Sequence, residues 1–296
     1  MSFAVDAPSP AGLTTPPPES PAGAPQRRAS AWTRRPWFVN VVVAAILALL
    51  WQVLVVVNDR IPGIDEVLSF LGTEITGGSH GGVLAGEFWP PLWTSLQRYL
   101  AGLAIGLPIG ALLGMLIGAS ALCRSLLNDS VVVLLVLPSV VWAFAASLWF
   151  GFGWAAPVLA VALTAVPFMT VNVRAGILSI GTGLNEMSRS FRVSPMRRLM
   201  HLLAGGAMPS AVTGTRLAFM TGWNSLLILE WFGSTSGVGW RARFWYDSQR
   251  LEGFVGWIVL YVVFIILLDW LVLRRWERRA VRWQPATLTF ADDDLA

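Results

Sequence analysis

Long apolar runs dominate this chain, and its polar residues are confined to short stretches between them. A helix needs about 20 apolar residues to cross the hydrocarbon layer of a bilayer. Six runs meet or approach that length: Val39–Val57, Leu96–Gly118, Val131–Phe150, Ala155–Val173, Ala211–Phe232 and Phe254–Leu273. The pattern predicts an all-α integral membrane protein with six transmembrane helices. Pro108, Pro138 and Pro167 fall inside the second, third and fourth runs, where each removes a backbone hydrogen bond and is expected to bend its helix.

The remaining stretches divide the chain further. Residues 1–35 are rich in Pro, Ala and Ser, lack apolar periodicity and read as a disordered tail. Residues 36–60 carry the first span, 61–284 a core of five more, and 285–296 an acidic tail. The segment "TRRPWF" at Thr33 has a twin-arginine look, but no small-residue cleavage site appears before Asn58, so a retained anchor is expected. Arginine placement sets the orientation. With the N-terminus inside, the outer segments keep only Arg60, Arg98, Arg241, Arg243 and Arg250, and the other arginines fall on the inner side or in the tails. Both termini are therefore expected in the cytoplasm, with the protein multi-pass in the inner (cytoplasmic) membrane.

That orientation places one charged insert inside the cell, between the fourth and fifth spans. Residues 184–209 read "LNEMSRSFRVSPMRRLMHLLAGGAMP". Leu184–Phe191 and Pro195–Leu203 each have the look of a short helix. Ser194 can cap the second, and Pro195 suits a first helical position, where its missing N–H costs nothing. Arg192 stands at the turn between them. Composition alone also allows an interfacial amphipathic hairpin that only obeys the positive-inside rule.

Composition changes the functional picture in two ways. Charged residues make up 13% of the 296 residues, mean hydropathy is +0.62, and all 21 basic residues are Arg. A Walker A loop needs a lysine to reach the nucleotide phosphates, so this chain carries none, and any ATP-driven work requires a nucleotide site on another polypeptide. The lone Cys123 excludes an intrachain disulfide, and His80 and His201 are too far apart to suggest a metal pair. No metal, no cofactor on this chain and no nucleic-acid partner are expected.

Some polar and aromatic residues fall within the spans. In the second, Gly102, Gly106, Gly110, Gly114 and Gly118 recur every fourth residue, a small-residue stripe that admits another helix closely, either within the chain or between subunits. Asn224 and Glu230 lie in the fifth span; intramembrane polar groups of this kind face protein or water. Glu230 is expected either to pair with an outer-loop arginine such as Arg241 or Arg243, or to edge a conduit. Asp269 is expected to pair with Arg274 or to snorkel. Most of the 16 Trp sit at span ends as interfacial belts, whereas Trp142, Trp149 and Trp223 sit deeper, in core packing or near a path.

The insert resembles the EAA loop of the permease subunits of binding-protein-dependent ABC importers. Glu186 matches the Glu of Glu-Ala-Ala, and Pro209 falls where these permeases often carry a second proline. Met187 and Ser188 replace the two alanines, Arg192 stands at the glycine, and Gly205 stands at the first proline. Residues 84–114, 148–163, "NEMSRSF" and "STSGVGW" (Ser234–Trp240) are similar to the nitrate/sulfonate/taurine branch, and the likeness runs from about Ile61 to Trp283. It implies a type I ABC importer permease fold and a transport subunit that is not itself an enzyme. It further implies a dimer of ABC ATPase subunits supplying ATP and Mg, an extracytoplasmic solute-binding protein, and a second permease subunit. That second subunit is either an identical copy or a standard-loop partner to this divergent half.

The residues that the resemblance assigns to ATPase coupling are Glu186, Ser190, Arg192, Ser194, Pro195, Arg197 and Arg198. Those expected near the translocation path are Trp142, Trp149, Trp223, Asn224 and Glu230. The substrate class it suggests is a small anion or sulfonate-like organic solute. At Arg192, either the turn avoids the positive φ that glycine would adopt, or strain is tolerated. Two other readings remain: an ATP-independent secondary transporter or channel, and the non-transporting half of a membrane complex.

Overall fold

The computed structural model describes residues 36–58, 60–77 and 86–276. The expected tails at 1–35 and 285–296, and His80, lie outside the described residues. Every regular element among the described residues is helical. The helix α1 (Pro36–Val57) is apolar around its whole circumference, as a membrane helix is. Its part up to Ala48 belongs to one structural unit and residues from Leu49 onward to another; all that follows concerns the second.

Two long helices form the spine of this unit because glycine lets their backbones meet. They are α3 (Trp89–Ala119) and α6 (Ala155–Leu178). The glycine stripe of α3 faces α6 along its whole length. A Cβ on Gly106 would stand 2.7 Å from the Ala162 carbonyl oxygen, one on Gly110 2.6 Å from that of Val166, and one on Gly114 2.7 Å from that of Thr170. Thr170 closes the seam by donating its hydroxyl to the Gly110 carbonyl at 3.1 Å. The stripe is therefore used inside the subunit, the first of its two expected roles. Both helices run on through Pro108 and Pro167.

The third long helix, α9 (Ala204–Gly233), packs along α6 and also touches α3. Buried Thr164 and Ser225 share a hydrogen bond across that interface. Trp223 stacks on Tyr99 of α3 with ring centroids 4.1 Å apart, and the Tyr99 hydroxyl donates to the Phe219 carbonyl. The last helix, α11 (Leu251–Leu268), continues through a wide π-type turn, Asp269–Leu273, and adds Tyr261 and Phe264 to the same cluster. Asp269 accepts a hydrogen bond from Arg274 at 3.1 Å, the first of its two expected arrangements.

One expected span is corrected. The run Val131–Phe150 is not a single helix: α4 (Ala121–Val136) and α5 (Ser139–Phe150) meet at an angle of 100°. Pro138 has no N–H to continue the α4 ladder and disfavours helical φ/ψ at Leu137, whose ψ is 126°. Three stretches among the described residues are long and apolar enough to cross a membrane: α3, α6 and Leu251–Trp276. The bent α4–α5 pair would make a fourth.

Two helices outside the apolar runs complete the unit. The amphipathic α2 (Ile64–Thr76) starts with Glu66 accepting from the Gly63 N–H and ends at Gly77 with φ 71°. Its Phe70, Leu71 and Ile75 pack around buried Trp257 of α11. The short α10 (Val238–Asp247) follows α9 after the turn "GSTSG".

Candidate functional site

The charged insert folds as two helices around a tight turn. The first, α7, spans Thr182–Ser190; the second, α8 (Pro195–Arg197), passes through a π-type turn at Arg198–Leu203 directly into α9. Residue 192 lies in the left-handed region, with φ 52°. The N–H of Val193 donates to the Ser188 carbonyl at 3.0 Å and that of Phe191 to Met187 at 3.0 Å. The six-to-one bond from Val193 to Ser188 is the Schellman helix ending, which usually carries glycine at the residue that Arg192 occupies. The turn therefore keeps the glycine geometry and tolerates an arginine in it, at a cost of roughly 1–2 kcal/mol.

Apart from buried Ser188, the described side chains of α7 and of the turn after it face outward. Glu186, Ser190, Arg192, Ser194 and Arg197 are exposed and Arg198 is half-buried. The Ser190 hydroxyl donates to the Glu186 carbonyl at 3.1 Å, tying the helix end. Pro195 opens α8, and the Arg198 N–H donates to the Ser194 carbonyl at 3.0 Å. Leu184, Met187, Phe191, Met196 and Met200 are exposed beside the charges. The insert thus presents apolar and charged groups on one stiff element joined to α9 without a hinge.

The residues expected near a path separate into three environments. Trp142 and Asn224 meet at a recess of about 140 Å³ formed where α4 and α5 break, closed by Ser139, Thr164, Thr221 and the apolar residues Leu134, Leu137 and Phe168. Trp223 is instead packed in the core at 1% exposure. Trp149, expected at depth, is 62% exposed on α5 and is corrected to a surface residue of this chain.

Glu230 has the third environment, and its partner is a second correction. Neither Arg241 nor Arg243 reaches it: Arg241 pairs with Glu74 and Glu87, and Arg243 with Asp247. Its partner is Arg98 of α3, whose Nη1 donates at 2.9 Å, with side chains 5% and 0% exposed. Ser95 donates its hydroxyl to the same carboxylate at 2.7 Å and accepts the Val238 N–H at 2.8 Å; the Gly239 N–H donates to Glu230 at 3.1 Å. Arg98 also donates to the Ser236 carbonyl at 2.8 Å and to the Ser234 and Ser236 hydroxyls.

The "STSGVGW" segment is thereby explained as the wrapping of a buried ion pair. Gly237 has φ 108°, and a Cβ there would stand 2.2 Å from a Glu230 carboxylate oxygen. Arg98 is the residue that sequence reasoning missed. The available signal was an arginine and a glutamate each inside an apolar helix, which membranes accept most readily as a pair. Among the described residues no group of three or more His, Cys, Asp or Glu stands close enough to hold a metal.

Comparison with known proteins agrees with this architecture. Residues 106–279 match the family described as "Binding-protein-dependent transport system inner membrane component". The putative aliphatic sulfonates transport permease protein SsuC of Escherichia coli K12 is 31% identical over 258 residues, covering 85% of this chain and 92% of that protein. Its namesake in Bacillus subtilis 168 is 28% identical, covering 90% and 97%. The E. coli taurine transport system permease protein TauC is 24% identical over 54% of this chain and 58% of its own length. Among solved structures, the MetNI methionine ABC transporter in an inward-facing conformation aligns with a TM-score of 0.53 at 22% identity, over 64% of this chain and 93% of the solved one, which bears on fold. The glycine-seamed α3–α6–α9 bundle with its helical insert is thus that of a binding-protein-dependent ABC importer permease, and the chain belongs to the sulfonate/taurine/nitrate branch of that family.

Proposed function

We propose that this chain forms half of a solute path across the cytoplasmic membrane and couples it to ATP hydrolysis on a separate dimer of ABC ATPase subunits through the insert α7–α8. The observation that carries this is mechanical. The insert is a helical pair, closed at its turn by the Val193–Ser188 bond, that runs through Arg198–Leu203 into the 30-residue α9 without a break in the helix. A force applied at Phe191 or Met196 is delivered along α9 to the packed α6 and α3.

The exposed Leu184, Met187, Phe191 and Met196 supply apolar contact for an ATPase cleft, and Glu186, Ser190, Arg192, Ser194, Pro195, Arg197 and Arg198 frame it. Six spans with both termini inside put the insert on the cytoplasmic side, where an ATPase can reach it. The similarity to sulfonate and taurine permeases favours a small sulfonate-like anion, delivered by an extracytoplasmic binding protein. A second permease subunit completes the path, either a second copy or a partner with glycine at the turn. ATP and Mg belong to the ATPase, and this chain performs no chemical step.

The test reverses the insert's charges. The double variant Glu186→Lys with Arg192→Glu, reconstituted in proteoliposomes with its ATPase and binding protein, should insert normally, abolish solute uptake and sever the link between binding-protein addition and ATP turnover. Uptake and stimulated hydrolysis at wild-type levels would remove the coupling role from this element.

A further inference from the structure

The recess at the α4–α5 break has a chemistry of its own. Its polar lining comes from Ser139, Trp142, Thr164, Thr221 and Asn224, and no charged side chain lines it. Thr164 is bonded to the Ala160 carbonyl and to Ser225, and Thr221 to the Leu217 carbonyl. Trp142 and Asn224 differ. Trp142 is 8% exposed and, among the described residues, its indole N–H has no hydrogen-bond partner; the Asn224 carboxamide, exposed in the second half of α9, has none among them either. An amide facing hydrocarbon without a partner is expensive, so intramembrane Asn faces protein, water or a ligand.

The backbone adds to these donors. The twelve-residue α5 begins at Ser139 after Pro138, with no side chain capping its first turn. The leading N–H groups of a helix have no intrahelical partner, and the axis carries positive potential at that end. Anions are held by broken membrane helices in this way. Here the broken end, an unpartnered buried indole and an unpartnered carboxamide converge on one recess of about 140 Å³, small beside the roughly 300–1,000 Å³ of drug-sized sites.

We infer that this recess is a path subsite for the headgroup of a monovalent oxyanion, a sulfonate, held by neutral N–H donors alone. The donors are the uncapped amide at Ser139, the indole of Trp142 and the carboxamide of Asn224. A sulfonate spreads one charge over three acceptor oxygens and so suits several neutral donors, whereas an arginine there would hold the anion too tightly for passage. Conduction needs a site that binds weakly enough to release. The inference rests on the permease reading above and deepens it.

The experiment measures ATP-driven uptake of radiolabelled ethanesulfonate by the reconstituted complex, with binding-protein-stimulated ATPase read in parallel. Trp142→Phe keeps an aromatic side chain but removes the indole N–H together with the fused second ring; it should lower uptake at least about threefold to tenfold, the value of one hydrogen bond. Asn224→Asp puts a like charge in the recess at unchanged size and should lower uptake roughly tenfold or more. Both variants should retain stimulated ATPase. Wild-type uptake by both variants, or parallel loss of uptake and stimulated ATPase, overturns the subsite. A wild-type complex that imports another solute but no ethanesulfonate overturns the subsite and leaves the permease reading standing. A wild-type complex with no ATP-driven uptake of any solute overturns both.

Discussion

Replacing Glu230 by glutamine should expose how much of this end of the helix bundle depends on one carboxylate. Glu230 accepts from Arg98, from the Ser95 hydroxyl and from the Gly239 N–H, and it is 0% exposed. Glutamine has nearly the same shape but no charge, and one of its two acceptor oxygens becomes an NH2 group facing donors. The Arg98 guanidinium is then left as a buried, uncompensated cation at 5% side-chain exposure. Removing one partner of a buried pair costs about 3–5 kcal/mol. Replacing both partners with apolar residues of similar volume removes the stranded charge as well, so Arg98→Met with Glu230→Leu should recover part of that loss. The backbone donors at Val238 and Gly239 and the hydroxyl of Ser95 would still lack their acceptor, which keeps the double variant below wild type. Thermal unfolding of the detergent-solubilised protein, followed by size-exclusion fluorescence, should rank wild type above the double variant and the double variant above Glu230→Gln. A Glu230→Gln protein that melts with wild type, or a double variant whose loss equals the sum of the losses of Arg98→Met and Glu230→Leu measured singly, would refute the claim that the pair acts as a unit.

Two further expectations concern backbone geometry. Arg192→Gly removes the positive-φ cost at residue 192 but adds chain entropy to the unfolded state, a net stabilisation of about 0.5–1 kcal/mol; amide exchange at 191–193 should slow a few-fold, and faster exchange would show that the arginine side chain holds the turn. Gly110→Val would drive a Cβ to 2.6 Å from the Val166 carbonyl oxygen, so α3 and α6 must separate, at about 1–3 kcal/mol or more. Lower yield and melting temperature than for the exposed-glycine control Gly153→Ala should follow, and equal behaviour would place the stripe outside the load of packing.

The apolar runs made most of the long helices legible, because bilayer thickness sets the length of a span. α3, α6, α9 and α11 overlap their expected segments, with ends displaced by up to several residues. The α4–α5 break was written in Pro138, yet the hydropathy of Val131–Phe150 conceals it, since both arms are apolar. Helices α2 and α10 escaped notice because they are short, amphipathic and stabilised by tertiary contacts such as Phe70 and Leu71 against Trp257.

At the candidate site, the insert and its turn were readable from Ser194–Pro195 and the position of Arg192. The sign of φ at Arg192 was not, since it depends on the Ser188–Val193 closure. Partner choice was the least legible feature. Glu230 has arginines nearby in sequence, but Arg98, 132 residues away, reaches it because the small-residue stripe, continuous with Gly102, draws α3 into the bundle.

The most direct measurement of the central claim is a crosslink between the insert and the ATPase. Cys123 is replaced by Ser, and a single cysteine is placed at exposed Phe191; a second variant carries it instead at Phe244 of α10, also exposed. Membranes containing the whole complex are treated with a short bis-maleimide reagent. The account requires a permease–ATPase adduct from Phe191→Cys, changed in yield by nucleotide, and none from Phe244→Cys. Equal adducts from both positions, or none from Phe191→Cys in a complex that transports, would contradict it.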